Sequence, residues 1–310
     1  MSAADGAAFR EVARELTGIA LSPEKDYFVE GRLEAVARAR GLSLGDLAQA
    51  VRSAPRGALA QEVAEALLIA ETSFFRDPGL FEVLRAQVLP ELIAARRAER
   101  RLALWSAACA TGQEPYSLAL LLVEHFPELD GWDVDILATD LSQQALDYAA
   151  SAVYTQHEVN RGLPARLLVR HFEREAMTWR LRPAVRRLVR FARVDLLRPL
   201  PPLPRMDLVL LRNMLIYHDV ETKRGVLASV RERLRADGRL VLGSAETTLY
   251  LDAGFEPSPE LGVYRVQDAP GEARGGGAGG RSDAGAEALD RGPSAPREGV
   301  PAVDRGAPCI

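Results

Sequence analysis

The chain predicts an α/β protein: a mostly parallel sheet with helices on both faces, carrying a small inserted β-subdomain and preceded by a small all-α domain. Three observations lead there. Residues 102–266 alternate short apolar runs with amphipathic helical patterns, as a parallel sheet covered on both sides requires. Residues 7–70 carry helical periodicity throughout. Gly112 stands among small residues where an apolar run gives way to a helix, the place at which doubly wound sheets bring backbone up to a ligand.

The elements follow in order. Phe9, Val12, Ala13 and Leu16 recur at helix spacing, as do Tyr27, Leu33, Val36 and Ala37 before Gly41. Leu42 and Ser43 precede a short helix through Val51, Pro55 and Gly57 break it, and Leu59–Ile69 forms another. The helical domain is expected over 1–79. A linking helix is expected over 80–101, with Phe81, Leu84, Val88, Leu92 and Ile93 as its apolar face and the charged run Arg96–Arg101 as a solvated end. The sheet domain spans 102–267. Its strands are expected at Leu102–Ser106, Val134–Thr139, Leu188–Val194, Met206–Leu211, Arg239–Gly243 and Gly262–Val266, and its helices at Pro115–Phe126, Ser142–Ser151 and Asp219–Arg235. Residues 152–187 match no simple β–α unit and predict an inserted subdomain of a few antiparallel strands. Residues 268–310 hold 10 of the 25 glycines and no aromatic residue. Such a segment buries too little apolar surface to offset its ordering entropy, so a disordered tail is expected.

Composition excludes several classes. With 310 residues, 47% hydrophobic and 26% charged, the chain reads as a soluble globular protein. It has no apolar run near the roughly 20 residues of a membrane helix. The start, Met-Ser-Ala-Ala-Asp-Gly, lacks the basic and apolar regions of a signal peptide, so a cytoplasmic location without membrane insertion is expected. Cys109 and Cys309 lie far apart, and His125, His157, His171 and His218 show no ligand spacing, so neither a disulfide framework nor a metal is expected. The net charge of −4 argues against a nucleic-acid partner.

The chemistry concentrates at strand ends. The turn W-S-A-A-C-A-T-G-Q-E-P-Y-S at 105–117 has no Lys and one Gly, so it is neither a phosphate-binding P-loop nor a G-x-G-x-x-G turn for a pyrophosphate. A nucleoside without phosphates suits it better, S-adenosylmethionine being the common one; the alternative is an ordinary tight turn packed with alanine. Asp140 ends the second expected strand, where an acid accepts hydrogen bonds from ribose hydroxyls; a helix cap is the competing role. Asp195 closes the third strand, facing either an adenine amino group or a turn. Arg212 and Asn213 end the apolar run Leu208–Leu211, which puts Asn213 and Tyr217 toward the crevice, unless these polar groups merely satisfy loop backbone. In Glu71–Pro78, Thr72 and Arg76 flank the pair Phe74-Phe75. Arg76 either reaches a carboxylate through its planar fork or balances surface charge.

Taken together, E-T-S-F-F-R-D-P at 71–78, W-S-A-A-C-A-T-G-Q-E-P-Y-S at 105–117, A-T-D-L-S at 138–142, L-R-N-M-L-I-Y at 211–217 and G-S-A-E at 243–246 resemble the CheR family of chemotaxis receptor methyltransferases, in order and spacing, over roughly residues 8–266. The resemblance implies an N-terminal helical domain and a Rossmann-like S-adenosylmethionine-dependent methyltransferase domain with an inserted β-subdomain. It implies methyl transfer from S-adenosylmethionine to glutamate side chains of chemoreceptors. By similarity Thr72, Arg76, Glu114, Asp140, Asp195, Leu196, Arg212 and Asn213 contact the cofactor, and Arg76 and Tyr217 act at the reacting groups. The chain departs from the family at Ala70, where Asn is common, at Gln113 for Glu, at Asp195 for Asn, and at His218 for an aromatic residue.

A monomer that works on a chemoreceptor cytoplasmic domain is expected. Arg32, Arg38, Arg40, Arg52 and Arg56 offer positive charge to an acidic receptor bundle, or simply a solvated helix face. The alternative function is a cofactor-binding regulatory module of a non-chemotactic signalling array with weak or no transfer. A small-molecule or RNA methyltransferase is disfavoured by the N-terminal resemblance and by the net charge.

Overall fold

The computed structural model describes residues 1–251, 253–260 and 262–267. The expected tail at 268–310, with Cys309, lies outside the described residues. Four helices, Ala3–Thr17, Asp26–Ala39, Leu44–Ser53 and Ala58–Ala66, bury their own core of Phe9, Val29, Leu33, Leu47, Val51, Val63 and Leu67. The first and third of them carry side-chain caps. Ser2 accepts from the Asp5 amide, Ser43 and Asp46 form a reciprocal capping box, and Gly18 closes the first helix in the left-handed region at φ 68°. Tyr27 does not belong to the apolar face expected for the second helix and is 78% exposed. The buried stripe is Val29, Leu33 and Ala37, spaced by four, and Tyr27 falls off that register.

Ten strands follow among the described residues: β1 (Arg101–Ala107), β2 (Asp133–Asp140), β3 (Val153–Thr155), β4 (Phe172–Glu175), β5 (Thr178–Leu181), β6 (Val189–Arg193), β7 (Met206–Leu211), β8 (Leu234–Leu242), β9 (Phe255–Pro257) and β10 (Val263–Val266). The main sheet runs β6-β2-β1-β7-β8-β10-β9. Its first five strands are parallel, and β10 and β9 complete it antiparallel. Strand order reverses at β1, with β2 on one side and β7 on the other; that reversal opens a crevice beyond the strand C-termini. Side chains alternate across the sheet. Leu102, Leu104, Leu208 and Leu210 face the helices Pro78–Ala95 and Gln113–His125, whereas Trp105, Val209 and Leu211 face Val220–Arg231. The insertion forms a separate sheet, β3-β5-β4, with both pairs antiparallel.

Two readings of the sequence need correction. The linking helix runs from Pro78 to Ala95, through a π turn at Leu84–Val88. Pro90 lacks an amide hydrogen and its ring crowds the preceding turn, which the wider π turn relieves. Arg96 is also not part of a solvated end. It is 4% exposed, with Nε donating to Asp207 at 2.5 Å and Nη1 to Asp237 at 2.8 Å. Asp207 in turn accepts from the Ala103 amide at 2.8 Å, so the guanidinium locks the helix end onto the centre of the sheet. A charge run reads as solvated until a paired acid far along the chain is known.

The helix expected through Arg235 stops at Arg231, and β8 starts early, at Leu234. Its pairing with β7 shifts register between Met206 and Leu208. Strand β9 carries Pro257 and, among the described residues, pairs only with β10, an edge position that tolerates proline and leaves little pattern to read.

Candidate cofactor-binding site

Beyond the C-terminal ends of β1, β2, β6 and β7 lies a cleft of about 930 Å³, counting its open mouth. That is the size range of ligand sites. Thr72, Arg76, Glu114, Asp140, Asp195, Leu196, Arg212, Asn213 and Tyr217 all line it. So do Thr17, Ile19, Leu68 and Ile69 from the helical region, which the sequence could not link to sites more than 100 residues away.

The wall after β1 is backbone. Ala108 (φ 58°) and Ala110 (φ 50°) adopt the left-handed region, as do Phe75, Asp77 and Asn213 around the same cleft. Non-glycine residues held there are strained, and such strain gathers at functional sites. Gly112 itself does not line the cleft. It sits at φ 91°, and a Cβ on it would come within 2.7 Å of Ala149 Cβ and 3.1 Å of Tyr154 Oη. The glycine is required by packing against the next helix and the insertion, and the alanines make the close approach to the cleft. Tyr154 Oη donates to the Thr111 carbonyl at 3.0 Å, tying β3 to this loop.

Asp140 is not the helix cap; Ser142 is, accepting from the Ala145 amide. The Asp140 carboxylate bridges two loops, accepting from the Ala110 amide at 2.8 Å and the Ser142 amide at 2.9 Å. Burial pushes its carboxyl above the usual range, against the opposing pull of the Ser142, Ala110 and Leu141 amides. Each oxygen has a second lone pair for a ligand hydroxyl. Asp195 closes a turn by accepting from the Leu197 amide at 2.9 Å while lining the cleft.

Glu114 and Arg212 form the floor. Glu114 accepts from Ser106 Oγ at 2.7 Å and from Arg212 Nη1 at 2.9 Å. Arg212 Nη2 donates to the Arg76 carbonyl at 2.8 Å and to Asp77 at 2.6 Å. This guanidinium therefore does satisfy loop backbone. It orders the segment carrying Arg76, whose own side chain donates to the Glu71 carbonyl at 3.2 Å and has no carboxylate partner among the described residues. The same segment is held from two more sides. The Phe75 amide donates to Ser117 Oγ at 2.9 Å, and Gly162 of the insertion packs so tightly that a Cβ there would fall 2.0 Å from the Phe74 carbonyl oxygen.

Glu246, within the G-S-A-E motif, was missed as a site residue. Its carboxylate accepts from the amides of Asn213 (2.7 Å), Leu215 (2.7 Å) and Gly243 (2.8 Å), so it shapes the loop between Asn213 and Tyr217. An acid three residues after a glycine was its one sequence signal. Cys109 also lines the cleft but offers no nucleophile: burial first, and the charges of Asp140 and Glu114 second, push its thiol well up. Ala70 lines the cleft as well and has no side-chain group to hydrogen-bond a ligand.

The description of the CheR methyltransferase SAM-binding domain matches residues 70–259, and that of the CheR all-alpha domain matches residues 4–68. The chain belongs to the CheR methyltransferase family. It is similar to Chemotaxis protein methyltransferase 1 of Pseudomonas aeruginosa, 39% identical over 273 residues that cover 85% of this chain and 98% of the relative. Chemotaxis protein methyltransferase Cher2 of Pseudomonas putida is 36% identical, with 77% and 88% covered. Chemotaxis protein methyltransferase 2 of Vibrio cholerae is 32% identical, with 80% and 86% covered. The chain is thus a CheR-type, S-adenosylmethionine-dependent methyltransferase. The cleft fits that cofactor: a buried acid with spare lone pairs stands at the tip of β2, small residues line the β1 loop, and one uncompensated guanidinium lies at the rim.

Proposed function

We propose that this chain transfers a methyl group from S-adenosylmethionine to glutamate carboxylates in the cytoplasmic domain of a chemoreceptor, forming methyl esters, and that it works in the cytoplasm as a monomer. The observation that carries this reading is the convergence of nine residues, from four of the quoted motifs and the Asp195-Leu196 turn, on one cleft. Asp140 holds the ribose hydroxyls. Asp195 accepts from the adenine amino group beside Leu196. Thr72 and Asn213 hydrogen-bond the remainder of the cofactor, and Glu114 and Arg212 keep the floor rigid beneath it. Bound cofactor supplies a methyl sulfonium that is already activated, so a carboxylate oxygen forms the new C–O bond as the S–C bond breaks toward sulfur.

The side chains then have positioning work to do. A glutamate with an ordinary pKa of about 4.3 is ionised at neutral pH and needs no base. Arg76 holds a carboxylate through its fork, and Tyr217 donates a hydrogen bond that aims the attacking oxygen. Alignment of this kind is worth on the order of 7–11 kcal/mol. For docking, all five arginines expected to meet an acidic receptor are exposed. Arg40 and Arg52 are already paired, with Glu62 at 2.5 Å and Asp5 at 3.3 Å, which leaves Arg32, Arg38 and Arg56 to carry most of the attraction.

The test is incubation with methyl-labelled S-adenosylmethionine and a receptor cytoplasmic fragment. Base-labile label in the receptor is the expected result. Cofactor binding without any base-labile label would instead mark a regulatory module.

A further inference from the structure

His218 follows Tyr217 directly and is 7% exposed. Its ring faces two acceptors. Nδ1 lies 3.0 Å from the Met214 carbonyl oxygen and Nε2 lies 3.2 Å from the Thr17 carbonyl oxygen. A carbonyl only accepts, and a neutral imidazole carries one N–H, so only the doubly protonated ring satisfies both. Thr17 ends the helix Ala3–Thr17, where the last carbonyls lack helical partners and the helix dipole favours a cation. The ring edge packs closely on that end: a Cβ at Gly18 would lie 2.8 Å from His218 Cδ2 and 2.7 Å from Leu197. A second bond crosses the same boundary, from the Ala20 amide to the Tyr217 carbonyl at 3.0 Å.

We propose that His218 is a positioning residue: as an imidazolium it clasps the helical domain to the Tyr217 loop and holds the cleft in its binding shape. This rests on the reading of the cleft as the methyltransferase site. Thr17, Tyr217 and His218 all line that cleft, so releasing either ring bond loosens its wall. In the neutral ring one nitrogen lone pair confronts a carbonyl lone pair, and the clasp loses a bond. The charged groups around it are Arg14 on the first helix, Asp219 beside it in the chain, and Asp195 and Arg198 flanking the Leu196–Leu197 segment. Arg14 and Arg198 oppose the cation, and Asp219 and Asp195 favour it. Asp219 is held ionised, first by the Thr222 amide and hydroxyl, with His218 and Arg14 adding to this.

The experiment is calorimetric titration of S-adenosylmethionine at pH 6 and pH 8, into the wild-type protein and into His218→Phe, with His218→Gln as a second, less disruptive variant. The wild type should bind about two- to tenfold more weakly at pH 8 than at pH 6, relative to the same ratio in the variants, the factor for one net hydrogen bond. All three proteins carry Asp140, so its opposite pH trend cancels in that comparison. Equal affinities of wild type and variants at both pH values would overturn the clasp. Ring ¹⁵N spectra of the wild type, with His218 assigned from the variants, give a second readout: two protonated nitrogens at pH 6 support the proposal, and a single one from pH 6 to pH 8 overturns it. A wild type that binds no cofactor at either pH would overturn the methyltransferase reading instead.

Discussion

Arg212 reaches Glu114 with Nη1 at 2.9 Å and Asp77 with Nη2 at 2.6 Å, so one buried cation joins the end of β7 to the helix after β1 and to the segment that presents Arg76. Its Nε has no partner among the described residues, yet the side chain is only 1% exposed. Removing one member of such a buried set leaves the others uncompensated. Arg212→Leu should therefore lower stability by about 3–5 kcal/mol and weaken cofactor binding with it. Urea denaturation checks this; an unchanged midpoint would mean that the network is dispensable.

Asp140 gives an acid-side pH dependence. Its folded carboxyl is raised by burial, so the native state takes up this proton before the unfolded chain does. Ionised Asp140 therefore costs the fold stability above that range, and the cost is relieved on acidification. Binding should run the other way, because a protonated carboxyl loses acceptor capacity for the ribose proposed to lie against it. Cofactor affinity should fall as pH drops, starting above the ordinary carboxylate range. Asp140→Ala should weaken binding by about 1.5–3 kcal/mol, as for hydrogen bonds to a charged group, and should abolish this pH trend. Titration calorimetry between pH 7 and pH 5 measures both effects.

Tyr217→Phe should lower turnover more than cofactor affinity, because the hydroxyl is proposed to aim the reacting oxygen while the ring packs against the helical domain. Initial rates on a receptor fragment, alongside binding titrations, separate the two. Wild-type turnover would leave Tyr217 as packing alone.

Glu246→Gln replaces a carboxylate that accepts three backbone amides with a group having a single acceptor oxygen. At least one of the Asn213, Leu215 and Gly243 amides then faces an NH₂ group. The rate should fall by roughly tenfold or more, with a stability loss of about 1–3 kcal/mol for the unsatisfied donor. A variant with unchanged rate and melting temperature would show that the loop holds its shape without the acid.

Much of the fold was legible because periodicity is local. β7 spans the residues its apolar run predicts, and β1 and β2 extend beyond theirs by a residue at either end. The residues that line the cleft were legible too, since Asp140, Asp195 and Arg212 lie at or just past strand ends, where sheet geometry directs them. What escaped depends on partners distant in the chain. Arg96 looked solvated because Asp207 and Asp237 are more than 100 residues away. Gly112 looked like a ligand turn because Ala149 and Tyr154, which crowd it, belong to later elements. Glu246 stood in a quoted motif, G-S-A-E, but its role escaped because the groups it holds are backbone amides that any residue possesses.

The contact between Gly162 and the Phe74 carbonyl bears on how this protein can be recombined with its relatives. Gly162 sits at φ 86° with no room for even a methyl group, and Phe74 lies two residues before Arg76. The insertion at 152–187 is accordingly no interchangeable cassette. Its surface is one half of a joint whose other half is the segment 71–78. A chimera that exchanges the insertion alone would mate two halves shaped for different counterparts and shift a guanidinium at the cleft rim, with no change to any residue lining it. Crossovers placed before residue 70 and after residue 187 would keep the joint whole.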